Sequence, residues 1–162
     1  MKYVKLASQI SLRYAIDEHE GKDIVQNAFV KVFTKIETFD AEKGTFEQWF
    51  RRIVINEAIQ QYRKRQKYDY PSTDDIFDGV VAPIALDNLK AEDILALLRK
   101  LSDGYRLVFT LYVIEKYTHQ EIAEILNITP STSRSQLTRA KRLLQQMMIE
   151  QNTLEHEKKI IK

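Results

Sequence analysis

The chain contains no cysteine. That excludes disulfides, cysteine-based zinc sites and thiol catalysis. It has only four glycines and three prolines, too few for a turn-rich all-β fold and well suited to long helices. Its three histidines, His19, His119 and His156, stand far apart without ligand spacing, so no metal site is expected. No apolar run approaches the roughly 20 residues needed to span a bilayer, and no membrane insertion is expected. The opening stretch, MKYVKLASQISLRY, is amphipathic and lacks a continuous apolar core. It does not read as a signal peptide, and a cytoplasmic location follows by default. There is no Gly-rich phosphate loop, no nucleophile–base pair and no spaced carboxylate dyad, so no catalytic residue and no cofactor are expected.

What is present is a globular composition. Of 162 residues, 44% are hydrophobic and 30% charged, enough for one average domain or two small ones. The net charge of +2 is uninformative until it is read along the chain. Arg51 to Lys67 carries six bases against one acid, Glu57. Tyr68 to Asp87 carries five acids and no base, and Ser131 to Gln145 carries four bases and no acid. The near-neutral sum hides two cationic surfaces of the kind that attract phosphate backbones.

Hydrophobic spacing places the elements. Residues 1–19 read as a helix through Leu6, Ile10 and Tyr14, with Gly21 marking a break. From Lys22, Ile24, Val25, Ala28, Phe29, Val32, Phe33 and Ile36 recur three and four apart and predict one buried stripe. Phe39 to Gly44 reads as a turn. Thr45 with Gln48 three residues on forms a capping-box pattern, opening a long helix to about Arg65. Three such helices make a small bundle. Tyr70 to Leu86, with Pro71, Gly79 and Pro83, reads as a linker. Four further helices follow: about Leu89–Leu101, a second after a Ser102 cap, a third opened by the Thr118/Glu121 capping box, and a fourth opened by Thr129-Pro130. The stretch Gln151 to Lys162 reads as a charged helical extension. The expected fold is all-α, with two small helical domains joined by a flexible acidic linker. The boundaries fall at 1–68, 69–88, 89–150 and a tail at 151–162.

The last two short helices form a helix-turn-helix. Asn127 can take the left-handed conformation that ends the first of them. Ala123 allows close approach, and Ile122, Ile128 and Leu137 fill the contact. The exposed face of the second helix then offers Ser131, Thr132, Arg134, Ser135, Gln136 and Arg139. In such a motif the start of the second helix meets base edges in the major groove. Arg pairs with guanine and Gln with adenine, while Ser and Thr reach bases or phosphates. Arg139, Lys141 and Arg142 suit phosphate contact.

Tyr117 to Lys141, YTHQEIAEILNITPSTSRSQLTRAK, resembles region 4 of bacterial extracytoplasmic-function sigma factors, of the sigma-70 superfamily. Asp23 to Phe33, DIVQNAFVKVF, resembles the region 2 helix of that family, and Thr45 to Asn56, TFEQWFRRIVIN, resembles its promoter-melting segment. The blocks stand in the family's order and span roughly Leu12 to Leu144. The resemblance implies a promoter-specificity subunit with core RNA polymerase, promoter DNA and an anti-sigma factor as partners. Asp23, Gln26 and Asn27 match the face that docks on the polymerase clamp helices. Loop residues Asp40 to Thr45, backed by Phe46 and Trp49, match the segment that captures an unstacked base of the −10 element. Helical spacing alone also makes Trp49 a core residue. Arg51, Arg52, Asn56, Gln60 and Arg63 match the face that follows DNA near the −10 element. Ser131, Thr132, Arg134, Ser135 and Gln136 match the −35 reader. The acidic linker resembles the segment that threads the polymerase cleft and RNA exit path, although a plain soluble tether fits it equally. The chain departs from the family pattern at Asn27, where an acid is common. It departs also at Ser131, which replaces a frequent glycine after Pro130. Its first helix is expected to be short by about three turns at 3.6 residues per turn.

Two other readings use the same residues. A stand-alone helix-turn-helix regulator would bind duplex DNA as a dimer, with a ligand pocket or dimerisation helix in its N-terminal half. An interaction protein would use the fold to bind a protein partner and would not need Arg134 or Arg139.

Overall fold

The computed structural model describes residues 1–66 and 91–160, apart from the side chains of 91, 152 and 154–160. The predicted linker at 69–88, and Leu89 as the start of the fourth helix, lie outside the described residues. The chain divides into two compact units, Met1–Thr73 and Asp74–Lys162. Among the described residues all regular structure is helical, as the scarcity of glycine and proline predicts.

The first unit holds α1 (Lys2–Tyr14), α2 (Glu18–Lys35) and α3 (Phe46–Gln66), packed pairwise into a three-helix bundle. Its core is Ala7, Ile10, Tyr14, Ile24, Ala28, Phe50, Val54, Ala58 and Ile59. Burying each large side chain of this kind contributes about 1.5–3 kcal/mol. The break between α1 and α2 is not at Gly21. It falls at Ala15, which is extended, and Asp17 restarts the chain. The Asp17 carboxylate accepts from the Glu20 N–H at 2.8 Å, while the Glu20 carboxylate accepts from the Ile16 N–H at 2.8 Å. These bonds satisfy donors that a new helix leaves exposed. Gly21 lies buried inside α2, where α1 crosses: a Cβ there would stand 3.6 Å from Ser11 Oγ and 3.7 Å from Ala15 Cβ.

The α2 stripe is also narrower than its spacing predicts. Ile24, Ala28 and Val32 are buried, but Phe33 is 75% exposed and Ile36 46%. Val30, outside the stripe, is 56% exposed. Two short 3₁₀ turns, Ile36–Thr38 and Ala41–Lys43, carry the chain to Gly44 at φ 145°. The Thr45 box forms as expected: Thr45 Oγ1 accepts from the Gln48 N–H at 3.2 Å and Gln48 Oε1 from the Thr45 N–H at 3.0 Å.

The second unit holds α4 (Ala91–Leu98), α5 (Asp103–Phe109), α6 (His119–Leu126) and α7 (Pro130–Ile160). Leu97, Leu98, Leu101, Leu107, Val108, Leu111, Ile122, Leu126, Leu137, Ala140 and Leu144 form its core. Helix α7 is the spine, with α4, α5 and α6 all packed on it. Ser102 opens α5 with extended backbone but without the expected side-chain cap. The helix runs straight into a π-helical stretch, Thr110–Ile114, that the apolar spacing did not foreshadow. Lys116, at φ 64°, reverses the chain after it. Helix α7 continues through Ile160, so the tail begins as the expected helical extension.

The two glycines give a paired prediction. Gly21→Ala meets only ordinary van der Waals neighbours and should raise stability by about 0.5–1 kcal/mol, the helix-interior difference. Gly44→Ala should lower it by about 1–3 kcal/mol, because φ 145° suits glycine and a Cβ would lie 2.8 Å from Gln48 Oε1. Thermal melts of the two variants moving in the same direction would refute this assignment of the turn and the crossing.

Candidate nucleic-acid interface

The basic segment of α3 presents one face without acid because of a single inward turn. Glu57, the only acid between Arg51 and Lys67, is 5% exposed and pairs with Lys31 of α2. Arg52, Asn56, Gln60 and Arg63 are exposed, and their three- and four-residue spacing puts them on one stripe. Lys31 Nζ also donates to Gln60 Oε1 at 3.2 Å, so the buried pair positions part of that stripe. Arg51 is half-buried. Arg65 turns from the stripe to pair with Glu20. Of the five residues proposed for this face, the structure brings four together.

At the start of α3, an aromatic cluster backs the turn. Phe39 contacts Phe46 and Trp49 at centroid separations of 5.5 and 5.7 Å, and Phe46 contacts Trp49 at 5.6 Å. Phe46 continues inward to Tyr3 and Phe50. Phe50 is fully buried, while Phe46 and Trp49 are half-buried. Trp49 is thus not the core residue its spacing suggests. It closes an aromatic wall beside residues 40–45, and Phe39, which spacing did not mark, completes it.

On α2, Gln26 and Asn27 are exposed and Asp23 is half-buried. The Asp23 carboxylate lies 3.4 Å from His19 Nδ1. Exposed Val30 and Phe33 follow along the same helix, and exposed Ile36 opens the 3₁₀ turn after it.

The helix-turn-helix forms with the expected caps. Thr118 Oγ1 accepts from the Glu121 N–H, and the Glu121 carboxylate accepts from the Thr118 N–H at 2.7 Å. Asn127 adopts the left-handed conformation at φ 54° and the Ile128 N–H reaches the Ala123 carbonyl at 3.0 Å. The Asn127 N–H reaches the same carbonyl, so two donors converge on Ala123 at the end of α6. Thr129 Oγ1 accepts from the Thr132 N–H at 3.0 Å, with Pro130 first in α7. Ile122 and Leu137 are buried between the helices and Ala123 is 5% exposed, while Ile128 is half-buried.

The six residues proposed for the reading face separate into two sets. Ser131, Arg134 and Ser135 are exposed and Thr132 is half-buried. The Thr132 hydroxyl is engaged with Thr129 at 2.9 Å, and Ser135 Oγ donates to the Thr132 carbonyl at 3.0 Å. Gln136 and Arg139 lean toward α5. The Gln136 amide lies against Gly104, and Arg139 donates to Tyr105 Oη at 3.3 Å. Spacing missed one member of the helix: Ser133 is fully buried, and its Oγ lies 2.9 Å from His119 Nδ1.

Two family models match this chain. The model for sigma-70 region 2 matches residues 1–68, and the model for sigma-70 region 4 matches residues 91–144. The chain belongs to the sigma-70 family. It is an RNA polymerase sigma factor of the extracytoplasmic-function type. The ECF RNA polymerase sigma factor SigW of Bacillus subtilis is 29% identical over 86% of this chain and 81% of its own length. The ECF RNA polymerase sigma factor SigM of the same organism is 27% identical over 79% of each. The fold of this sigma factor is similar to that of the sigma factor RpoE, solved in complex with the anti-sigma factor NepR from Bartonella quintana. The TM-score is 0.57 at 20% identity, covering 90% of this chain and 91% of that one. The region 2 match sets aside the stand-alone regulator. Among the described residues no helix is long and apolar enough to cross a membrane.

The Lys31–Glu57 pair yields a stability prediction. Lys31→Ala leaves the Glu57 carboxylate buried without its cation. The cost should be about 2–3 kcal/mol, just under the range for fully buried pairs because a third of Lys31 reaches solvent. Adding Glu57→Leu should restore most of it. Urea unfolding of the single and double variants checks this, and equal stabilities for Lys31→Ala and wild type would contradict it.

Proposed function

We propose that the two units divide promoter reading and polymerase docking between them. The observation that carries this is the segregation of charge: each unit places an acid-poor basic surface on a helix matching a DNA-reading region of the family. In the first domain, residues 1–68, α2 docks on core polymerase through Asp23, Gln26 and Asn27. Exposed Val30, Phe33 and Ile36 extend that contact, since an apolar strip on a surface helix is the usual mark of a protein interface. Arg52, Asn56, Gln60 and Arg63, with Arg51 beside them, follow DNA near the −10 element through phosphate contacts. Residues 40–45 and their aromatic wall receive an unstacked base, stacking being a sequence-tolerant source of affinity.

In the second domain, residues 89–150, α7 enters the major groove at the −35 element. Ser131 and Arg134 point out from its first turns and read bases, with Thr132, Ser135 and Gln136 beside them. Arg139 serves the phosphates. Residues 69–88 connect the domains through the polymerase cleft, and 151–162 form a tail outside both. The protein works without chemistry of its own, in the cytoplasm, and an anti-sigma factor is its inhibitory partner, as NepR is the partner of the similar RpoE.

The test is run-off transcription with purified core polymerase on a genomic promoter library. Arg134→Ala should remove most of the advantage of promoters with a matched −35 element, since one good base contact discriminates by about 1–3 kcal/mol. Phe33→Glu should weaken binding to core polymerase without touching promoter preference. Promoter selectivity kept in an Arg134→Ala/Arg139→Ala protein would sink the −35 reading.

A further inference from the structure

The joint of the helix-turn-helix contains a polar contact inside an otherwise apolar crossing. His119 is the first residue of α6. Its ring stacks on Tyr112 of the π-helical stretch, with centroids 4.4 Å apart and planes 20° from parallel. Its Nδ1 meets Ser133 Oγ at 2.9 Å. Ser133 is fully buried in the first turns of α7 and immediately precedes Arg134. One imidazole therefore ties together three elements: the π-helical stretch, the start of α6 and the start of the recognition helix.

Apolar contacts such as Ile122 against Leu137 bring two helices together but tolerate rotation of either about its own axis. A hydrogen bond is directional, and a buried hydroxyl left without one is costly. Ser133 can meet His119 in only one rotational setting of α7. Arg134, the next residue, is aimed by that same setting. We infer that His119 is a positioning residue for promoter reading: through Ser133 it fixes the rotation of α7 and so the aim of Arg134 at the −35 element. This rests on the −35 reading proposed above.

The surroundings favour the neutral ring, whose Nδ1 can accept from the Ser133 hydroxyl. Tyr112 faces it from the π-helical stretch, and Arg134 and Lys141 act on it from α7. On its own helix the Glu121 carboxylate is engaged by Thr118. It also sits at the positive end of the α6 dipole. Burial foremost, then the charges of Arg134 and Lys141, hold His119 below the ordinary 6.5. The placement is therefore at full strength above pH 6.5 and is weakened as the pH falls through the lowered value.

The experiment uses full-length protein with core polymerase. It reads the ratio of transcription from a promoter with its preferred −35 element to one with that element scrambled. His119→Phe keeps the stack and removes the partner of Ser133, and should lower the ratio roughly fivefold, the effect of orphaning one buried hydroxyl. His119→Asn offers a polar atom near the Nδ1 position and cannot be protonated in this range, and should recover most of the ratio. Between about pH 7.5 and about pH 5.5, the wild-type ratio should fall while that of His119→Asn holds. An unchanged ratio in His119→Phe, or parallel pH profiles for wild type and His119→Asn, would overturn the inference. If His119→Phe fails to fold, the paired pH profiles decide alone. Arg134→Ala separates the two levels. A ratio lost there but kept in His119→Phe defeats only the positioning role, whereas a ratio kept in Arg134→Ala defeats the −35 reading itself.

Discussion

With four glycines and three prolines in 162 residues, helix boundaries must be set largely by side chains, and the geometry of both units depends on that constraint. Four helices begin on a side-chain oxygen: α2 on Asp17, α3 on Thr45, α6 on Thr118 and α7 on Thr129. Each such cap is worth about 1 kcal/mol, a tenth or so of a small domain's stability. Its larger consequence is positional. Asp17 decides where α2 leaves α1, Thr45 decides where the aromatic wall meets the turn, and Thr118 and Thr129 fix both ends of the α6–α7 corner. Two corners among the described residues take a left-handed residue other than glycine, Lys116 and Asn127, and at Asn127 a short polar side chain makes this tolerable.

On that frame, charge is sorted by burial. The start of α7 carries no acid in its sequence, whereas in the first unit acids stand near the bases and packing turns them away from the outward stripe. Glu57 is drawn to Lys31 beneath α3 and Glu20 to Arg65. The outward stripe of Arg52, Asn56, Gln60 and Arg63 is cationic and polar as a result. Desolvating Glu57 would be expensive alone, and Lys31 offsets it. The pair adds little to stability against an apolar core of the same volume, but it clears the outward stripe of negative charge.

Much of this was legible beforehand, for identifiable reasons. The Thr45/Gln48 and Thr118/Glu121 boxes are local patterns, and local hydrogen bonds need no tertiary context. The Asp17 cap was missed because Gly21 nearby is the stronger punctuation mark in a sequence. Its actual use is close helix approach, which depends on what α1 places opposite. Phe33 and Ile36 match the helical period as well as Ile24 does, yet they face solvent. Periodicity measures the width of an apolar arc and cannot say how much of it the neighbouring helices cover. Trp49 has the same history. The π-helical stretch at Thr110–Ile114 has no compositional sign at all.

The proposed reading face shows in the sequence as a set of polar residues but not as a hierarchy. Six polar residues at the start of α7 share one helical side, and spacing ranks none above another. Packing does. Gln136 leans on Gly104 and Arg139 on Tyr105 Oη, so both are held from α5. Thr132 and Ser135 direct hydroxyls into their own helix, and spending those groups on DNA would first require breaking these bonds. Among the described residues the Ser131 and Arg134 side chains carry no such commitment. A helix whose base-reading potential narrows to a single long cationic side chain depends heavily on where that side chain points. Its direction follows the rotation of α7, and the part-buried bond from Ser133 to His119 is directional where apolar packing is not, which is why the positioning role is proposed for His119.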